Sequence, residues 1–352
     1  MKPWGRLPGD DPGRDRAETE AAIKEAGIDL DPVAPGQHRH ADGEVHPDGH
    51  AHPHHRSEPG EMPSTGIVGA GAVGTALGIA LSRAGWPIHA VASRDPGRRT
   101  RFAAAVEGTR AFAEAQALVE EVELIILAVP DDAIAALAHE IRMYSGQAMI
   151  HTSGALGADV LAPAMAAGTQ IGGFHPLVAF ADTERAIAAL RGATVAIEGD
   201  DDLAGLLALM AERIGAHPVR LAPGTKAAYH AAAVLAAGGF VALLDAIAEL
   251  GAVAGLDEAG ALSIYGPLIE GTLENARALG IRAALTGPMT RGDRGTLDAH
   301  LKALRAHAPG VLPLYVAAAH REIDLALDRG ALAPETASAM RESLSNALAR
   351  QD

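Results

Sequence analysis

From Thr65 onward the chain alternates short apolar, β-branched runs with alanine-rich stretches of helical period. The runs near 65–69, 87–92, 123–129, 147–152, 170–174, 193–198 and 218–221 are each the length of one buried strand, and turn residues bound them. Strands alternating with helices in this way predict a doubly wound parallel sheet with helices on both faces. After Pro223 the strand pattern stops. Lys226–Gly251, Leu256–Leu279, Gly295–Ala306, Pro313–Leu327 and Pro334–Leu348 all place apolar residues three and four apart, so an all-α part is expected to follow the α/β part. The boundaries read as 64–222 for the first and 223–352 for the second. Residues 1–63 lack such periodicity apart from a short helical pattern at Arg16–Ala26. Their Pro, Gly, Asp and His content predicts a disordered extension.

Composition narrows the partners. Hydrophobic residues make up 48% of 352 and charged residues 21%, the balance of a soluble globular chain. With 29 basic against 44 acidic side chains the net charge is −15, which disfavours a phosphate backbone, so nucleic acid is not an expected partner. The absence of cysteine excludes disulfides, Cys-ligated zinc and thiol chemistry, and it fits a reducing compartment. The start MKPWGRLPGDDPG lacks the apolar segment of a secretory signal. The longest uncharged apolar run, Ala231–Leu244, is fourteen residues and reads as a buried core helix rather than a membrane span. A cytoplasmic protein without membrane contact is expected. Seven histidines (His38, His40, His46, His50, His52, His54 and His55) form either a solvated tail or a weak Zn²⁺ or Ni²⁺ site, and their irregular spacing favours the tail. No other metal site is expected.

The chemistry starts at TGIVGAGAVG, residues 65–74. Ile67 and Val68 end a strand, Gly69 permits a tight turn, Gly71 lets a pyrophosphate approach the backbone, and Gly74 lets the next helix pack on the strand. Ala72 and Val73 open that helix, whose free amides face phosphate. Nineteen residues after Gly74, where an NAD binder carries an acid, stand Ser93 and Arg94. A cation there suits the 2′-phosphate of NADP(H), with Arg98 or Arg99 in support. Asp95 followed by Pro96 reads as a helix cap.

Three further strand ends qualify, because ligands of such sheets lie at the carboxyl ends of the strands. In LAVPDDAI, Val129 and Pro130 are expected to line the cofactor, while Asp131 and Asp132 read as acids at the positive end of a helix. In HTSGALG, Ser153 either approaches the nicotinamide and substrate or caps the next helix. In GGFHPL, His175, held extended by Pro176, is either a proton donor or a structural histidine. In GTKAAYHAAAV, Lys226 and His230 share a helix face with Tyr229 beside it; Lys226 is either a solvated charge or a catalytic group. In ALTGPMTRGD, Arg291 is either a bidentate clamp for a substrate carboxylate or a partner of Asp293, itself a cap for the following helix.

The succession GAGAVG, VASR, LAVPDD, HTSGALG, FHPL, YHAAAV and ALTGPMTRGD resembles the bacterial Rossmann-like proteins whose C-terminal half is the domain of unknown function 2520 (DUF2520), over residues 65 to about 350. These are similar in architecture to pyrroline-5-carboxylate reductases, ketopantoate reductases and β-hydroxyacid dehydrogenases. The resemblance implies an N-terminal NADP-binding Rossmann domain and a helical substrate and dimerisation domain like the C-terminal one of 6-phosphogluconate dehydrogenase. It also implies a homodimer. In β-hydroxyacid dehydrogenases a catalytic lysine opens the first helix after the Rossmann domain, with asparagines three and four residues on. Lys226, Tyr229 and His230 look like that arrangement with both asparagines replaced, and Gly238 stands where the DUF2520 proteins often have asparagine. The expected activity is NADPH-dependent reduction of a small carboxylate-bearing ketone, ketopantoate-like acids being favoured by analogy, with Lys226 or His230 as proton donor. The alternatives are an imine reductase of the pyrroline-5-carboxylate type and a non-catalytic NADP-binding sensor or partner protein.

Overall fold

The computed structural model describes residues 61–165 and 169–349, together with the backbone of two short antiparallel strands, β1 (Gln37–Arg39) and β2 (Val45–Pro47). The expected disordered extension and its alternative role in metal binding otherwise lie outside the described residues. The described residues divide into two compact units, one ending at Ala233 and the other beginning at Val234.

The first unit is built on eight strands: β3 (Thr65–Val68), β4 (Ile88–Ala92), β5 (Arg110–Phe112), β6 (Leu124–Leu127), β7 (Ala148–His151), β8 (Gln170–Pro176), β9 (Thr194–Glu198) and β10 (His217–Arg220). Their order is β10-β9-β8-β7-β6-β3-β4-β5. Counted within the sheet, the first six strands lie 3-2-1-4-5-6, the order of a dinucleotide-binding sheet, with its switch point between β3 and β6. Both faces are covered, so successive residues serve opposite cores. Ile67, Leu124 and Ile126 join Leu77, Leu81, Trp86 and Phe102 on one side, whereas Val68, Ile125 and Leu127 join Ile134 and Met149 on the other.

Two features depart from the sequence expectation. The strand β5 is not anticipated because it is a three-residue, largely exposed edge whose Arg110 lies over the Phe112 ring at 5.1 Å, so no apolar run announces it. The sheet is also not wholly parallel: β9 runs antiparallel to β8, and β10 follows β9. The helix between β8 and β9, Thr183–Leu190, packs on helix Ala72–Arg83 instead of crossing back over its own strands. The chain therefore re-enters the sheet from the carboxyl edge.

Register then aligns one row across seven strands. Phe112, Ala92, Val68, Leu127, His151, Gly173 and Glu198 are successive Cα partners. Beyond this row β8 projects by three residues, Phe174 to Pro176, and β9 pairs with the projection. The row is the floor of the carboxyl edge.

The second unit is helical, as expected. Arg294–His307, Leu312–Asp328 and Pro334–Ala349 enclose a core that includes Leu297, Leu301, Leu312, Val316, Ile323, Met340 and Leu344. One expectation is corrected. The run Ala231–Leu244 is not a buried core helix: it belongs to the helical stretch Lys226–Val253, whose most apolar window has mean hydropathy 2.1 and is only 6% buried. A helix apolar around its whole circumference cannot bury every face against one layer of neighbours. By length and composition this stretch is also the one helix among the described residues able to cross a membrane.

Candidate active site

The glycine-rich turn separates packing from ligand demands. Gly69 has φ +111°, and a Cβ there would lie 2.2 Å from the Ala128 carbonyl oxygen. A Cβ on Gly71 would meet nothing within 4 Å. Gly69 is thus required by the fold, whereas Gly71 opens onto free space. Helix Ala72–Arg83 starts at Gly71 with no side-chain cap, so the first-turn amides, those of Ala72, Val73 and Gly74, have no intrahelical acceptor. Open space in front of uncapped amides fits a pyrophosphate. Val129 flanks the turn, its Cγ1 3.1 Å from where a Gly69 Cβ would be, and Pro130 precedes helix Asp131–Glu140 with Asp131 and Asp132 in its first turn.

At the end of β4, Ser93 donates its amide to Phe112 O at 3.1 Å and Arg94 is exposed. Asp95 caps helix Pro96–Ala105 as expected, accepting from Arg98 N at 3.0 Å, and that hydrogen bond chiefly holds its carboxyl below the usual carboxylate range. Arg99 turns its guanidinium to the Ser93 carbonyl oxygen. Of the basic residues near this strand end, Arg99 is therefore engaged in holding the loop.

Gly154, three residues past β7, meets the end of β8 and the helix that begins at Lys226. A Cβ on Gly154 would lie 2.3 Å from His230 Nδ1 and 2.6 Å from His175 Nε2. The His175 ring stands edge-on to Tyr229 and to His230, with centroids 5.8 and 5.7 Å apart. Lys226, at the start of helix Lys226–Val234, is only 5% exposed; it is not a solvated charge. Its ammonium hydrogen-bonds the Glu198 carboxylate, which is itself largely buried. The pair lies over Gly173, where a Cβ would come within 2.9 Å of Glu198 Oε2 and 3.2 Å of Lys226 Nζ. The missing side chain at 173 is what makes the slot.

Two of the histidines here, His151 and His175, are held neutral. His151 Nδ1 accepts from the Ser153 amide at 3.2 Å, so its Nε2 carries the proton and donates to Gly157 O at 3.1 Å. Burial holds His151 below its ordinary value. Burial, reinforced by the Lys226 and His230 charges, presses His175 down to about 4. Burial likewise pushes the Tyr229 phenol up. Ser153 does not cap the next helix, Ala158–Leu161, which starts at Gly157 without a side-chain cap; its Oγ instead closes its own loop, accepting from the amides of Ala155 at 3.1 Å and Leu156 at 3.0 Å. Four buried side-chain polar atoms among the described residues have no hydrogen-bond partner, and three converge here: His175 Nδ1, Tyr229 OH and His230 Nδ1. Buried polar groups are ordinarily satisfied, so three orphans in one place mark a ligand site. No group of three or more His, Cys, Asp or Glu among the described residues is arranged to hold a metal.

The structure thus brings together Ser153, His175, Lys226 and His230. Arg291 belongs to the second unit, where it ends the short helix Pro288–Arg291; hydrogen bonds from Thr296 chiefly hold the Asp293 carboxyl low, with the Arg291 charge a smaller contribution. Asp293 caps the next helix, accepting from Thr296 N at 3.0 Å. Sequence reasoning missed Glu198 and passed over His151 within its own motif. No local signal marks Glu198, because an acid at a strand end reads as solvated until pairing sets it against a lysine.

Comparison with known proteins agrees with this architecture. Residues 55–176 match the Rossmann-like domain and residues 193–322 match DUF2520. The chain is a Rossmann-like protein with a C-terminal DUF2520 domain. Among solved structures it resembles a Bacteroides fragilis protein provisionally named an NADP oxidoreductase, at 24% identity and TM-score 0.63, over 75% of this chain and 98% of that one. It also resembles the reductive aminase of Aspergillus terreus, solved with NADPH and ethyl levulinate, at 17% identity and TM-score 0.53, over 83% of this chain and 95% of that one. A third is the Plasmodium falciparum pyrroline carboxylate reductase with NADP bound, at 13% identity and TM-score 0.53, over 80% of this chain and all of that one. At these identities the likeness is one of fold. No curated protein matches the chain.

Proposed function

We propose that this protein is an NADP(H)-dependent oxidoreductase that reduces the carbonyl of a small carboxylate-bearing substrate. The observation that carries the reading is the buried Lys226 at the carboxyl edge of a dinucleotide-type sheet, beside three unpartnered polar atoms on His175, Tyr229 and His230. Gly69, Gly71 and the amides of Ala72, Val73 and Gly74 would hold the pyrophosphate. Ser93 and Arg94 would hold the 2′-phosphate, and Val129 and Pro130 would flank the cofactor. NADPH, when bound, supplies hydride. The chain's own residues orient the substrate and supply the proton: the Lys226 ammonium, or His230 on the same helix face, protonates the oxygen as negative charge develops on it. His175 Nδ1 and the Tyr229 hydroxyl offer the substrate hydrogen bonds that no protein group takes. For a substrate carboxylate the sequence offers Arg291.

The names of the Aspergillus and Plasmodium relatives favour a second reading, in which the substrate is an imine. An imine arriving protonated needs no donor at the reacting centre, so its reduction tolerates loss of Lys226. The two readings separate in one experiment: NADPH oxidation is followed with a panel of α-keto acids and cyclic imines, using the parental chain and Lys226→Met. Oxidation with keto acids alone, lost in the variant, supports the first reading. Oxidation with imines, retained in the variant, supports the second, and no oxidation with either leaves NADP binding without turnover.

We further propose that the chain works as a homodimer. In the second unit Leu235, Val241, Ile264, Leu268 and Ile281 are each more than half exposed. Apolar exposure of this kind supports a contact between copies of the chain. Sedimentation equilibrium is expected to give twice the chain mass, and a monomer at micromolar concentration overturns the proposal.

A further inference from the structure

We propose that Glu198 is the positioning residue of this site, anchoring the Lys226 ammonium in the slot over Gly173 from which it delivers its proton. The inference rests on the reductase reading for what Lys226 does, but not for where it is held. Glu198 reaches this position through the overhang of β8. Because β9 pairs antiparallel with the projecting residues, its last residue falls level with His151 and Gly173, and Gly173 contributes no side chain between them.

The groups facing Lys226 leave one anchor. His175 on β8 and His151 on β7 are neutral, Tyr229 and His230 share its own helix, and Asp131 acts on the two histidines only by long-range charge. Among the described residues Glu198 alone is in contact with the ammonium as a carboxylate. A lysine as buried as this is costly to leave unpaired, and it either loses its proton or swings toward water. Either outcome removes the donor from the slot. Glu198 therefore acts through Lys226 and need not touch the substrate.

The test compares Glu198→Gln and Glu198→Asp with the parent in the full chain. The rate of acetylation by acetic anhydride at neutral pH is read by peptide mass spectrometry at Lys226, with the exposed Lys302 as internal standard. Release from Glu198 should speed labelling of Lys226 relative to Lys302 by about tenfold or more in the Gln variant, with the Asp variant remaining near the parent. In the reduction assay the Gln variant should lose about tenfold or more in kcat, with a smaller change in KM. The alkaline limb of its rate profile should move toward lower pH, and the Asp variant should recover much of both. Unchanged Lys226 labelling in Glu198→Gln overturns the inference, as does a parental kcat and pH profile with a substrate whose reduction Lys226→Met impairs. Should labelling rise while Lys226→Met reduces every substrate at the parental rate, Glu198 still anchors the lysine and it is the proton-donor role of Lys226 that falls.

Discussion

A Cβ on Gly74 would lie 1.9 Å from the carbonyl oxygen of Gly69, so the helix and the turn that precede the sheet's switch point touch through bare backbone. Gly74→Ala forces the two apart and should destabilise the protein by about 1–3 kcal/mol, read as a lower midpoint in urea. Gly71→Ala meets empty space and should leave the midpoint unchanged while weakening NADPH about tenfold or more, since the methyl stands where the phosphates approach. Equal losses of stability in both variants would contradict the division between packing glycine and ligand glycine.

Cofactor choice is assigned to Ser93 and the exposed Arg94. Arg94→Glu exchanges a phosphate-pairing cation for a repelling anion, so fluorescence titration should find NADPH affinity reduced far more than NADH affinity. A uniform reduction would place the 2′-phosphate elsewhere.

Proton delivery is assigned to Lys226, with His230 on the same face. Lys226→Met should cut turnover by about 10² to 10⁴ and change NADPH affinity only a few-fold, because proton transfer acts in the transition state. His230→Ala should also cost activity. If the double variant reduces a confirmed substrate at the parental rate, His175 becomes the donor to test.

Burial presses His175 from 6.5 to about 4, and this has a consequence for acid stability. As pH falls the unfolded chain takes up its proton first, near 6.5, while the folded chain resists until about 4. The contribution is complete above 6.5 and is lost progressively between these two values. His175→Gln should therefore show a smaller fall in melting temperature between neutral and weakly acidic pH, with a remaining part from His151, which is lowered in the same direction. An identical fall in the two proteins would show that His175 does not titrate differently on folding.

Much of the site was legible because its chemistry is local. The spacing of Gly69, Gly71 and Gly74 follows from a turn and a helix start, both adjacent in sequence. Asp95 before Pro96 declares its own cap, and Lys226 with His230 share a face by helical period. Lys226 was legible as a position but not as a buried group, since burial depends on what Gly173 and Glu198 leave open. The run Ala231–Leu244 shows the same limit: an apolar stretch lay exposed, an outcome that depends on neighbours distant in the chain.

By itself the sequence determined the alternation of strands and helices, the helical second half, the glycine turn and its basic strand end. These follow from side-chain period, backbone freedom and charge within a few residues. The tertiary structure alone decided that β9 runs backward along an overhang of β8, that His151, Gly173 and Glu198 share one row, and that a buried lysine meets the Glu198 carboxylate there. Sheet register joins residues from strands far apart in the chain. Which of them face one another is set by hydrogen-bond pairing and core packing over the whole sheet, and no short stretch of sequence carries that information.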